Sequence, residues 1–197
     1  MVSNEDFGGS GIGSWSCPGA SYVDSKGQSG CFQLVFDKIA GAHLYPAQSS
    51  YDKAACYIEG KPYIPYKYRN GSEIPDGKYI SSASRSASLP NGACVIFHRC
   101  AWAGDARGTI VIDINGSYNG PNMFGKDVFM FNHLVPNTCA QIRDGLGIYP
   151  TGAYAGDGYT SKKRAEIKNN CNKRSGGNAC AALIMYDGWH ISRDYPW

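Results

Sequence analysis

Eight cysteines, Cys17, Cys31, Cys56, Cys94, Cys100, Cys139, Cys171 and Cys180, constrain this chain more than any other feature. Their number is even, and no two stand in the C-x-x-C spacing of a zinc ribbon or a thioredoxin-like site. Cross-linking is therefore favoured over thiolate metal binding and over the plainer alternative of scattered buried thiols. Disulfides persist in oxidising compartments, which points outside the cytosol. Eight cysteines admit roughly a hundred pairings. One short-range pair is attractive: Cys171 and Cys180 bracket a polar, glycine-containing stretch that a bridge would close into a loop, for about 2 to 3 kcal/mol.

With 197 residues the chain is long enough for one ordinary domain with a buried core. Charged residues make up 18%, below the usual share of about a quarter, while 25 Gly, 14 Tyr, 7 Phe and 4 Trp favour strands, turns and aromatic-rich surfaces. This balance excludes a coiled coil. The net charge of +3 and the many aromatics exclude intrinsic disorder. A pI near 8.4, without basic runs interleaved with aromatics, excludes a dedicated nucleic-acid binder. No stretch of about 18 apolar residues is long enough to span a bilayer. Residues 1–16 carry neither a basic nor an apolar segment of a signal peptide, so the expectation is an ectodomain cut from a longer, exported precursor.

Along the chain, residues 1–30 are Gly- and Ser-rich around Trp15 and Cys17 and predict an irregular lead-in. Residues 31–45 place Phe32, Val35, Phe36 and Ile39 at helical spacing before Pro46, predicting a short amphipathic helix. Residues 61–76 hold three prolines among tyrosines and read as extended or loop chain, and the Ser/Ala-rich residues 81–90 as a surface loop. Residues 93–100, 109–114 and 128–135 are short β-branched or aromatic runs separated by Gly and Asn, the pattern of adjacent antiparallel strands in a meander. Residues 161–170 suit a helical turn or two. Residues 181–191 form another apolar run, broken by Asp187-Gly188, a strong turn pair. No linker or repeat divides the chain, so residues 1–197 are expected to form a single α+β domain.

Between two of the strand candidates lies the run from Asp113 to Asp127, with three Gly, three Asn and a Pro. Gly and Asn tolerate positive φ, and Asx side chains bond their own backbone, so the run makes a tight turn. It is either a structured hairpin connection or a calcium loop, in which Asp113, Asn115, Asn122 and Asp127 would offer hard oxygen ligands. An EF-hand is excluded, because Phe124 stands where that loop places its bidentate Glu.

The runs Asp113-Ile-Asn115-Gly116, Gly120-Pro121-Asn122 and Gly125-Lys126-Asp127-Val-Phe129-Met-Phe131 resemble the Asp-Val-Asn-Gly, Gly-Pro-Asn and Gly-Lys-Asp-x-Phe-x-Phe pattern of bacterial type IV pilin-like proteins, including the pseudopilins of secretion systems. The Cys171/Cys180 bracket, Leu183-Ile184, Asp187-Gly188-Trp189-His-Ile191 and Asp194-Tyr-Pro-Trp197 are similar to that family's C-terminal Cys-bracketed loop, apolar strand and Asp-Gly-Trp-x-Ile tail. The resemblance covers residues 93–197. It implies a pilin-like head: an antiparallel β-sheet, short helices and long disulfide-stapled loops, with a long N-terminal helix packed on the sheet. That helix is absent from this chain. In the family it anchors the subunit in the inner membrane, facing the periplasm, before forming the fibre core. The implied role is that of a structural subunit of a type IV pilus or secretion pseudopilus at the cell surface, with other pilin subunits as partners. Some heads of this family bind calcium near the C-terminus.

The chain is not expected to be an enzyme. His43, His98, His133 and His190 stand in no motif, and there is no Gly-x-Ser-x-Gly, His-Glu-x-x-His or Walker A run. The alternative to a filament subunit is an adhesin module that binds a glycan or a host-surface receptor through aromatic faces. Tyr63, Tyr66 and Tyr68 are the first candidates for such an exposed patch. Trp102 and Trp189 are expected in the core, and Lys162-Lys163-Arg164 on a solvated helix face.

Overall fold

The computed structural model describes residues 40–45, 55–56, 58, 60–62, 64–74, 85–98, 107–134, 148–155 and 160–197. Its centre is a six-stranded sheet formed by β1 (His43–Tyr45), β2 (Arg85–Ser88), β3 (Cys94–His98), β4 (Arg107–Asp113), β5 (Val128–Leu134) and β6 (Ile148–Pro150). Each strand pairs antiparallel with the next in sequence, so the sheet is the expected meander. A two-stranded hairpin of β7 (Tyr154–Ala155) and β8 (Thr160–Ser161) follows. Helices α1 (Arg164–Asn169) and α2 (Cys180–Tyr186) complete the described chain, and α2 lies against β5 and β6. No helix among the described residues is long and apolar enough to cross a membrane.

Register explains the two-sided core. Pairing Cys94 with Asp113, Ile96 with Val111 and Val111 with Met130 puts these side chains on one face, because alternate residues share a face. There Ile96, Val111 and Val128 are fully buried and pack with Tyr66, Phe124 and Cys56 from the connecting segments. Each contributes about 1.5 to 3 kcal/mol through burial. The opposite face carries Ala87, Val95 and Ile110, flanked by Leu44, Ile112 and Phe131. Further along the same face Phe129 meets α2, whose Ala182 and Leu183 pack on Ile167 of α1 and on Tyr195.

Three sequence expectations are corrected. Residues 43–45, assigned to the end of a helix, form β1. The chain turns at Gly41, with φ +78, and Leu44 joins the sheet core. Residues 31–39 of that helix lie outside the described residues, as do the lead-in, Trp15 and Trp102. The Ser/Ala-rich segment expected as a loop contains β2. Small side chains fit between β1 and β3, where Ala87 is fully buried and the Ser86 hydroxyl accepts the Cys56 N–H at 2.8 Å. The run after residue 180, similar to a family strand, is helix α2. A seven-residue apolar run with Ala181 and Ala182 at its start has no strict alternation to hold it as a strand.

Candidate functional site

The β4–β5 connection begins and ends on a buried carboxylate. Asp113 Oδ1 accepts the N–H groups of Asn115 (3.3 Å) and Gly116 (2.9 Å), while Oδ2 lies 2.8 Å from the Tyr66 hydroxyl. Asp127 Oδ2 accepts the Asn122 N–H at 2.8 Å, and Oδ1 accepts the Met123 N–H at 2.7 Å. Between them the Gly120–Pro121 peptide is cis and Asn122 has a positive φ of 49°. The Asn122 amide donates to the carbonyls of Ile64 (2.7 Å) and Ser117 (2.8 Å), tying the turn to the segment beside it. All four expected calcium ligands thus fall within one turn. The two carboxylates already take five donors from the chain, whereas the Asn115 and Asn122 carbonyl oxygens are buried without a donor. Among the described residues no three His, Cys, Asp or Glu side chains gather into a metal-binding group.

Proton counting links this site to pH. Asp113 Oδ2, Tyr66 Oη, Ser117 Oγ and the Ala55 carbonyl form a chain of three contacts of 2.8, 2.7 and 2.7 Å. Tyr66 and Ser117 supply only two protons for the three contacts. Tyr66 donates to Asp113 and Ser117 to the Ala55 carbonyl, which leaves the Tyr66–Ser117 contact without a proton unless Asp113 takes one up. Accordingly, the Asp113 carboxyl is pushed up to about 6. Burial is the main cause and the Tyr66 hydrogen bond pulls the other way, while the Asp127 charge adds to the rise. Burial likewise raises the Tyr66 phenol well above its ordinary value, so it remains a donor.

The C-terminal segment closes over this turn. Cys171 and Cys180 form the expected disulfide, and Cys56 is bonded to Cys94. Cys17, Cys31, Cys100 and Cys139 lie outside the described residues. Gly125, with φ +75, lets the turn pass directly under Cys180, and a Cβ there would overlap its sulfur. The Tyr195 hydroxyl donates to the Gly125 carbonyl at 2.7 Å, with its pKa pushed up to about 12 by burial. Arg69, buried and with its pKa lowered by desolvation, donates to the Pro196 carbonyl.

A second cluster ties the end of α2 to the tail. Arg164 spans Asp187 (2.6 and 2.7 Å), Ser192 (3.0 Å) and Asp194 (2.7 and 2.8 Å), and Lys168 adds a bond to Asp194 at 2.7 Å. These partners hold both carboxyls below the usual range, chiefly through the Arg164 hydrogen bonds. Between the two clamped acids the chain makes a Schellman stop: Gly188 N–H bonds the Met185 carbonyl (3.0 Å) and Trp189 N–H the Ile184 carbonyl (2.8 Å). Gly188 has φ +77 and Trp189 itself φ +64. Trp189 is 64% exposed, and Tyr186, Ile191 and Trp197 are also about half exposed.

This reverses two sequence expectations. Tyr66, a candidate for the exposed patch, is buried because its hydroxyl belongs to the Asp113 chain. Tyr68 is half-buried and stacked on Phe124 at 6.2 Å. Tyr63 lies outside the described residues. Trp189, expected in the core, is the most exposed large hydrophobic residue described. The Asp187-Gly188 turn pair marks the helix stop ahead of Trp189 but does not account for the exposure of its side chain. His43 packs edge-on against Tyr45, and His190 is exposed. The side chains of His98 and His133 are not among those described.

Fold and sites together define a small, disulfide-linked α+β protein whose sheet carries a proton-bridged turn at one end and a clamped aromatic loop on its C-terminal helix. The chain belongs to a family of unknown function (DUF6613), whose family model matches residues 48–197. No curated protein and no solved structure matches it.

Proposed function

We propose that this chain is the head of a structural subunit in a type IV pilin-like filament, a surface pilus or a secretion pseudopilus, and that it acts through subunit contacts without catalysis. One observation carries this. The two separate stretches that resemble the pilin-like pattern form one packed unit, with Gly125 of the Gly-Lys-Asp motif under Cys180 of the cysteine bracket and bonded to Tyr195 of the tail. Asp113, Gly116, Asn122, Gly125 and Asp127 all serve the turn itself, as caps, bends or close approaches. A pattern of this kind specifies a scaffold, whereas a catalytic pattern would leave groups free to face a substrate. Disulfides at Cys56–Cys94 and Cys171–Cys180 agree with life outside the cytosol.

Immunogold labelling of the sheared surface fraction of producing cells, with antibody raised against this chain, tests the assignment. Label distributed along filaments is expected. Antigen found only as unassembled, freely soluble protein would overturn it and favour a free-standing secreted binder.

A further inference from the structure

Trp189 combines three properties that packing does not explain. It is 64% exposed, it adopts a left-handed backbone that costs a bulky residue on the order of 1 kcal/mol or more, and it occupies a loop clamped on both sides by one guanidinium. At that position of a Schellman stop a hydrophobic side chain ordinarily folds back on the helix. Here it stands away from the helix, with Tyr186 before it and Ile191 after it, both about half exposed. Strain of this kind persists where the surroundings over-determine it. Arg164, bonded to Asp187 ahead of the loop and to Ser192 and Asp194 behind it, supplies that constraint.

The charge around the loop indicates the partner. Seven of the 19 basic residues but only three of the 16 acidic ones lie in residues 160–197, so the whole positive surplus of the chain is concentrated there. Two of those acids, Asp187 and Asp194, are consumed by Arg164 and Lys168. Lys163 and Arg193 are exposed beside the clamp and form none of its ion pairs. Arg193 sits in the turn closed by the Tyr195 N–H on the Ser192 carbonyl at 3.0 Å. Rigid, exposed indole and phenol faces suit the C–H face of a sugar ring, and adjacent ammonium and guanidinium groups suit its carboxylates.

We propose that the Trp189 loop, with Tyr186 and Arg193, is a binding surface for an acidic carbohydrate chain bearing uronate groups. The exposed set is mainly aromatic, with one aliphatic side chain, and offers flat ring faces to a sugar's C–H face. The proposal is independent of filament assembly, since the unassembled chain would bind as well.

The test is a titration of the oxidised full chain with tetragalacturonate, followed by tryptophan fluorescence and calorimetry at physiological ionic strength. Galactotetraose, anionic phospholipid vesicles and a thymidine oligonucleotide serve as comparisons. Saturable binding of tetragalacturonate, at least about tenfold tighter than of galactotetraose, is expected. Trp189→Gly discriminates a binding role from a structural one. Glycine adopts φ +64 freely, so this variant should melt no earlier than the wild type yet lose binding by about tenfold or more. Arg193→Gln should weaken the acidic sugar and leave the neutral one unchanged. The proposal is overturned if tetragalacturonate does not bind, if Trp189→Gly binds it as well as wild type, or if vesicles or the oligonucleotide bind with equal or greater affinity through the same tryptophan.

Discussion

Asp113 decides how the turn behaves with pH. Its carboxyl, near 6 in the fold, lies above the roughly 3.9 of an unfolded chain, so the folded protein binds the proton more tightly. Stability from this residue is therefore fully present below about pH 4 and is lost as pH rises through about 6, a swing of about 2 to 3 kcal/mol. The hydroxyl row gives the mechanical reason: an ionised Asp113 leaves three oxygen contacts with two protons. Asp113→Asn keeps an oxygen for the Asn115 and Gly116 N–H groups and places a permanent N–H towards Tyr66. Urea unfolding at pH 5 and pH 7.5 should show the wild type less stable at the higher pH through this term. The variant should be flatter across that range and at least as stable at pH 7.5. A variant markedly weaker than wild type at pH 7.5 would mean that Asp113 is needed as a charge.

At the scale of elements, the Arg164 clamp has the opposite sign. Asp187 and Asp194 are held below their unfolded values, so what they contribute is present above about pH 4 and is lost on further acidification. Arg164→Met removes the group that joins α1, the end of α2 and the tail. Hydrogen exchange at the amides of Trp189 and Tyr195 should then accelerate by on the order of tenfold or more, while β4 amides keep their protection. Unchanged exchange at Trp189 would dissociate the loop from the clamp. The β4–β5 turn carries a separate expectation. Its carboxylates already accept five chain donors, so melts in calcium and in chelator should superimpose, and a rise of several degrees with calcium would make the Asn115 and Asn122 oxygens ligands. Legibility in the sequence followed the same physics. The strands β3, β4 and β5 were readable because β-branched and aromatic residues pack on a pleated surface, and Cys171–Cys180 because a short polar loop separates the pair. The strand β2 was hidden because Ser and Ala carry little strand preference, and only its neighbours make it one. Tyr66 and Trp189 exchanged expected places because a phenol was recruited by a carboxylate 47 residues away, and an indole beyond a helix stop did not fold back on its helix. Neither event leaves a periodic trace.

For the whole molecule, the disulfides set how far the fold depends on its compartment. Chain entropy assigns about 4 kcal/mol to Cys56–Cys94, which closes a separation of 38 residues, and a little under 3 kcal/mol to Cys171–Cys180, which closes 9. Domains of this size hold about 5 to 15 kcal/mol in total, so losing both bridges removes a large part of the margin. Loop length alone ranks the longer bridge as the more important. Packing modifies that ranking, because Cys180 seats the β4–β5 turn at Gly125 and anchors α2 beside β5, whereas Cys56 and Cys94 join one connecting segment to one strand. Replacing the pairs separately with alanine, and measuring urea unfolding of each oxidised variant, distinguishes the two contributions. Entropy alone leaves the Cys171→Ala/Cys180→Ala protein about 1 kcal/mol more stable than the Cys56→Ala/Cys94→Ala protein. We expect that gap to close or invert, with the loss of the shorter bridge also exposing Tyr195 and detaching the tail from Gly125. A gap that survives at its full entropic size would mean that the C-terminal unit stays seated on the sheet through its side chains, and that its disulfide acts only on the unfolded chain.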